Sequence, residues 1–376
     1  MMQKNSKVII ILVLIVITSL SCSSSGLRET SQVSISKRDL PDFWGTRVIT
    51  PENAGQMDEL YSTESPYGFR IEPSTYLAWF PDGKRLMIDD TIYDLNFRSD
   101  DTLEDIKKGD FELSPDGKIF ATLDHVVYNY DITNIRLYDV DTGNILKSLI
   151  TNKHYSFLFF MPDSVRLVCV GGVSIDVWDI EREEIINSLS DYKRTISSVD
   201  GELLLGRSRQ YRVSNDGKTL VNIYETWTEQ VKFKSWFLLF WDIETGEVTK
   251  FLDLNTTFDS RYIFEKFILR LSADGKKLGL YDSNGKIYIQ DYATFDLTKY
   301  FDIGSDINDF SFSPDNRLIA TAGGTDYTVR LFDVETGVEL TKLIGHTNEV
   351  YKVLFSLDGH TLYSFAGDGI RIWGIP

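Results

Sequence analysis

The chain has 376 residues, 42% of them hydrophobic and 13% aromatic, which is enough to bury a sizeable core. Its 56 acidic residues against 39 basic ones give a formal charge of −17, which repels phosphate backbones and argues against a nucleic-acid partner. Its two cysteines, Cys22 and Cys169, permit neither a disulfide framework nor a C-x-x-C zinc site.

Residues 1–22 read as an export segment. Lys4 and Lys7 precede the unbroken apolar run 8–17, and Thr18-Ser19-Leu20-Ser21 leads to Cys22. Such a run makes about 15–20 Å of helix, short of the ~20 residues that cross a bilayer. Cys22 followed by Ser23-Ser24-Ser25-Gly26 resembles a bacterial lipoprotein leader. That resemblance implies cleavage before Cys22 and lipidation of its thiol, with more than one acyl chain, as stable anchoring requires. An ordinary cleaved signal and an uncleaved anchor are the alternatives. Residues 23–47 are rich in Ser, Thr and charge and poor in apolar residues, so a flexible tether is expected.

From residue 48 onward two landmarks alternate. The first is a turn centred on Asp: Pro81-Asp82-Gly83, Pro115-Asp116-Gly117, Pro162-Asp163-Ser164, Asn215-Asp216-Gly217, Ala273-Asp274-Gly275, Pro314-Asp315-Asn316 and Leu357-Asp358-Gly359. The second closes a strand-like run: Tyr93-Asp94, Tyr138-Asp139, Trp178-Asp179, Trp241-Asp242, Gln290-Asp291, Phe332-Asp333 and Trp373-Gly374. Successive second landmarks lie 45, 40, 63, 49, 42 and 41 residues apart. Short strands punctuated by turns every eight to twelve residues, repeated at this period, predict an all-β array of four-stranded units. The first unit should hold strands near 76–80, 85–88 and 91–95. The clearest unit should hold them at 310–312, 318–322, 328–333 and 338–343. The fourth unit is long. A connection over 191–209 precedes its first strand, near 211–213, and 225–234 parts its second from its third.

The segments Leu331-Phe-Asp-Val-Glu-Thr-Gly337, Phe240-Trp-Asp-Ile-Glu-Thr-Gly246 and Leu137-Tyr-Asp-Val-Asp-Thr-Gly143 resemble the WD-repeat β-propeller family. The resemblance covers roughly residues 48–376 and implies a seven-bladed propeller closed by an N-terminal strand. The last unit ends after three strands, so residues 56–62 are the expected donor of its fourth. In bacterial relatives a stretch like Ile49-Thr-Pro-Glu-Asn-Ala54 precedes the first repeat. One blade alone cannot offset its chain entropy, whereas stacked blades cover each other's apolar faces and a closed ring leaves no bare end. Three departures stand out: one Gly-His opening only, at Gly345-His346; Gln290 in an aromatic place; and Gly374 in place of Asp. The His–Asp hydrogen-bond networks of the family should therefore be largely missing, leaving stability to apolar packing.

The resemblance also puts the long connections of units two and four on one rim. They carry Tyr128, Tyr130, Tyr224, Trp227 and Trp236, with Arg207 and Arg209, and exposed aromatics with arginine anchor protein partners. The competing reading folds these aromatics onto their own blade. His125, His154, His346 and His360 share no ligand spacing, so no metal is expected, and His346 reads as structural. Cys169 sits in an apolar run and reads as a core thiol. There is no G-x-S-x-G and no phosphate-binding glycine loop, and no cofactor is implied. The expectation is a non-catalytic scaffold for protein–protein interaction, lipid-anchored outside a bacterial membrane. The alternatives are a lactonase-like or hydrolytic enzyme working at the channel mouth, or a glycan or small-ligand binder.

Overall fold

The computed structural model describes residues 47–64, 75–89, 91–94, 99–102, 111–125, 133–171, 174–189, 205–227, 235–254, 267–283, 285–292, 294 and 296–376. The leader, nearly all of the tether, Cys22, Tyr128 and Tyr130 lie outside them.

Seven antiparallel four-stranded sheets form the blades. Blade 1 holds β2 (Leu77–Trp79), β3 (Arg85–Ile88), β4 (Thr91–Asp94) and β5 (Ser99–Thr102). Blade 2 holds β6 (Phe111–Leu113), β7 (Ile119–His125), β8 (Thr133–Asp139) and β9 (Ile145–Thr151). Blade 3 holds β10 (Tyr155–Phe160), β11 (Arg166–Gly171), β12 (Ile175–Asp179) and β13 (Glu184–Ser188). Blade 4 holds β14 (Leu205–Val213), β15 (Thr219–Trp227), β16 (Ser235–Asp242) and β17 (Val248–Asp253). Blade 5 holds β18 (Phe267–Leu271), β19 (Lys277–Asp282), β20 (Lys286–Asp291) and β21 (Leu297–Asp302). Blade 6 holds β22 (Ile307–Phe312), β23 (Leu318–Gly323), β24 (Val329–Asp333) and β25 (Glu339–Leu343). Blade 7 holds β26 (Val350–Phe355), β27 (Thr361–Ala366) and β28 (Gly369–Gly374), and takes β1 (Asp58–Glu64) as its fourth strand.

The turn chemistry explains why the first two strands of each blade meet where they do. Ser114, Ser214, Ser272, Ser313 and Ser356 each donate to the carboxylate two residues on, at 2.5–2.7 Å. Each of those carboxylates accepts a backbone N–H two residues further, as Asp315 does from Arg317 at 3.1 Å. This is the Asx-type closure that the Asp landmarks called for.

First strands of neighbouring blades approach one another, β6 to β10, β14 to β18, β18 to β22 and β22 to β26, so they form the inner wall around the axis. Seven apolar clusters lie one at each interface between successive blades. The cluster joining blade 7 back to blade 1 sets Tyr363, Phe365, Ile370 and Ile372 against Leu86, Ile88 and Tyr93. Cys169 is fully buried in the cluster between blades 2 and 3, where desolvation pushes its thiol pKa up.

β1 pairs with β28 from Asp58↔Gly374 to Glu64↔Gly369, two residues later than the stretch 56–62. The shift has a local cause. Ala54–Gln56 form a 3-10 turn, and the strand starts only after Met57. A register shift between Glu59 and Tyr61 leaves Leu60 out of the ladder. A Cβ placed on Gly374 would lie 2.6 Å from the Leu60 side chain. The Leu60 side chain of the donor strand thus packs over Gly374, in the space that a side chain would take where the other units carry Asp.

The expectation that apolar packing alone sustains the blades requires correction. Blade 7 carries the His–Asp network: His346 Nδ1 lies 2.7 Å from Asp368 Oδ1, its Nε2 lies 2.7 Å from Ser364 Oγ, and Trp373 Nε1 donates to that hydroxyl at 2.8 Å. Other blades replace it with different buried polar groups. In blade 3, Tyr155 donates its hydroxyl to Asp176 at 2.6 Å, and Lys153 adds a 2.7 Å ion pair to the same carboxylate. In blade 4, Trp241 Nε1 donates to Asn222 Oδ1 at 2.8 Å, and in blade 5 Tyr288 donates to Asp282 at 3.0 Å. Histidine can be dispensed with because any buried acceptor satisfies the indole or phenol at that place.

A pH prediction follows from the blade 7 network. Burial lowers the His346 pKa below its usual 6.5, against the pull of Asp368. The Asp368 pKa is also lowered: burial opposes this, but hydrogen bonds from the Thr347 N–H and from His346 prevail. For both groups the folded state binds its proton less readily than the unfolded chain. Their contribution is full above the unfolded pKa and is lost as pH falls. His346→Gln should cost roughly 1–2 kcal/mol at pH 7 for the lost hydrogen bonds. Thermal melts should show the gap to the parent narrowing by pH 5; a gap that stays constant would contradict this reading.

Candidate functional site

Within the long connections of blade 4, the described residues 205–209 and 225–227 are strand extensions. β14 and β15 run nine residues each and pair from Leu205↔Trp227 to Val213↔Leu220. β15 and β16 pair as far as Thr226↔Ser235, so 225–227 belongs to a hairpin and not to the predicted loop. Two predicted partner-binding aromatics leave the surface in consequence. Tyr224 is 2% exposed and packs in the cluster between blades 3 and 4. Trp236 is 3% exposed, with its ring 4.9 Å from that of Phe267 in blade 5. Both residues alternate inward along extended strands, and the neighbouring blades cover them. The backbones of Arg207, Arg209 and Trp227 lie in β14 and β15 at the far end of this hairpin, with Arg209 at a register shift. Tyr128 and Tyr130, the blade 2 members of the expected partner surface, lie outside the described residues.

The second grouping lies on the inner wall. Side chains alternate along a strand, and one parity of each first strand turns to the axis. Glu112 on β6, Arg212 on β14 and Arg270 on β18 each stand four residues before their turn Asp. Asp309 on β22 and Lys352 on β26 stand six residues before theirs. Arg270 makes an ion pair with Asp309 and donates to the Leu269 carbonyl at 2.9 Å. Arg212 donates to its neighbouring Tyr211 carbonyl at 2.6 Å. The Tyr76 hydroxyl accepts the Leu113 N–H at 3.0 Å and donates to Glu112, joining blades 1 and 2. The Gln210 amide joins blades 4 and 5, donating to the Phe267 carbonyl at 2.5 Å and accepting the Leu269 N–H at 2.9 Å.

The electrostatics of these groups are coupled across the axis. Burial pushes the Glu112 carboxyl up to about 8, although Arg212 and the Tyr76 hydroxyl both favour its anion. Burial and the like charge of Arg270 bring Arg212 down to about 10, with Glu112 and Asp309 opposing. Burial, Arg270 and Arg212 also lower the Lys352 pKa, against Asp309. Sequence reasoning passed over these residues. The signal was a lone charge inside an apolar first strand, as in Phe111-Glu112-Leu113, Tyr211-Arg212-Val213 and Leu269-Arg270-Leu271. Among the described residues, no group of three or more His, Cys, Asp or Glu side chains is placed to hold a metal ion.

The family description "WD domain, G-beta repeat" matches residues 298–333 and 337–373. Each matched repeat joins the outer strand of one blade to the first three strands of the next, so the sequence unit is staggered against the blade. The serine-threonine kinase receptor-associated protein of Bos taurus is 30% identical over 135 residues, 35% of each chain. A WD repeat-containing protein 91 homolog of Dictyostelium discoideum is 38% identical over 73 residues, 19% of this chain and 9% of that protein. The chain thus spans about a third or less of the length of these curated relatives. Among solved structures, the β-propeller domain of Cps50 (Swd1) from Myceliophteria thermophila superposes with a TM-score of 0.62 at 14% identity, over 85% of this chain and all of that one. Two segments of the chain thus match the WD40 repeat, and its fold is a seven-bladed β-propeller.

Proposed function

We propose that this WD-repeat propeller is a non-catalytic platform for protein partners, held on the extracytoplasmic side of a bacterial membrane by a lipid on Cys22. The observation that carries the partner reading is the blade 4 hairpin. Its nine-residue strands extend Arg207, Arg209 and Trp227 beyond the stretch that the other blades use. Strands rooted in two interblade clusters hold the backbone of these residues in a paired ladder, so a partner loses little affinity to ordering that backbone. A relative named for association with a receptor kinase is consistent with this reading. The anchor reading rests on the leader sequence.

Two experiments test the two halves separately. Replacing Arg207, Arg209 and Trp227 together by alanine should weaken partner capture by intact-membrane cross-linking at least about tenfold, as loss of hot-spot side chains does, with an unchanged melting temperature. Undiminished capture would contradict the hairpin's role. Cys22→Ala should move the protein from the membrane to the soluble fraction, and a variant that still sediments with lipid would refute the anchor.

A further inference from the structure

The geometry points to a small-oxyanion site of the phosphate class in the central channel, held by Arg212, Arg270 and Lys352 from blades 4, 5 and 7. This goes beyond partner display, since it uses the axis and not the rim.

The first support is the sign of the charge. The chain as a whole is strongly acidic, at −17, yet three of its cations converge on the axis. Asp309 pairs with Arg270. Arg212 and Lys352 make no ion pair within 4 Å with a described carboxylate, and each lies within electrostatic reach of the other cations. Like charges gathered in a partly desolvated space oppose folding unless an anion joins them. The second support is donor geometry. Arg212 and Arg270 each commit one guanidinium nitrogen to a backbone carbonyl, which fixes the group and leaves further N–H donors. Two fixed guanidinium groups and an ammonium are the donor set that recognises phosphate oxygens. The third support is Glu112. The titratable groups facing it are Tyr76 of blade 1 and Arg212 of blade 4, and blade 3 presents Phe159 at the equivalent position. With its carboxyl pushed up to about 8, Glu112 favours the neutral acid, the form that donates to an anion instead of repelling it.

Inorganic phosphate and glycerol phosphate, titrated into the full chain at ionic strength held constant with chloride, distinguish the free ion from an ester. The melting temperature should rise saturably with at least one of them. Lys352→Met and Arg212→Gln should each weaken the fitted affinity at least tenfold. Near-UV circular dichroism establishes that each variant is folded, and Lys352→Met suffices if the arginine variant is not. Affinity should fall as pH rises past about 8, and Glu112→Gln should flatten that fall. Absence of saturable stabilisation by both anions, or folded variants that respond like the parent, would overturn the site and leave the cluster an internally compensated plug.

Discussion

Deleting residues 48–64 is expected to lower the melting temperature by about 10 °C and to broaden the transition, as measured by differential scanning calorimetry. The segment supplies far more than one ladder. Ile49 and Ala54 are 1% and 0% exposed in the cluster between blades 6 and 7. Tyr61 packs against the cluster that joins blade 7 to blade 1, and Glu59 forms an ion pair with Arg371. Losing β1 exposes this apolar surface, at about 25 cal/mol per Å², and leaves β28 a bare edge open to pairing with other chains. A melting temperature within a degree of the parent would show that the segment only lies along the ring.

The second large effect belongs to Phe310→Ala, which should cost about 3–5 kcal/mol, seen as a reduced denaturation midpoint at constant slope. Phe310 is fully buried in the cluster between blades 5 and 6. It packs edge-on to Phe312, with ring centroids 6.2 Å apart. Both rings press on Gly279 of β19: a Cβ there would lie 2.8 Å from Phe310 and 3.0 Å from Phe312. That contact says why the truncation should not be absorbed, because the facing strand is flat at this point and has no side chain to move into the void. Gly279→Ala tests the same fit from the other side and should destabilise by about 1–3 kcal/mol through overpacking. A neutral outcome for both substitutions would mean that blades 5 and 6 do not interlock here.

What the sequence disclosed about this fold is what short-range chemistry determines. The Asp-centred turns close through their own side chains, five of them with a serine two residues earlier, so the count of seven such turns gives the number of blades without knowledge of the packing. Long-range contacts were harder to read. The run Tyr224-Glu225-Thr226-Trp227 looks like a polar loop, yet Glu225 is 1% exposed and paired in the ladder with Trp236. Tyr224 and Trp236 are buried too, and their aromatic bulk fits an interface as well as a surface. The channel charges were missed because alternation along a strand divides two faces without telling which one meets the axis. Gly374 looked like a degenerate repeat until Leu60, 314 residues earlier, was seen to occupy the space.

The ring is fastened by its N-terminal strand, β1 pairing with β28. Amide hydrogen exchange on residues 58–64 tests this most directly. Backbone N–H groups of β1 should exchange as slowly as those of β27, and both should be released in the same opening event. Exchange of 58–64 at the rate of an unstructured peptide, with β27 still protected, would contradict the closed ring.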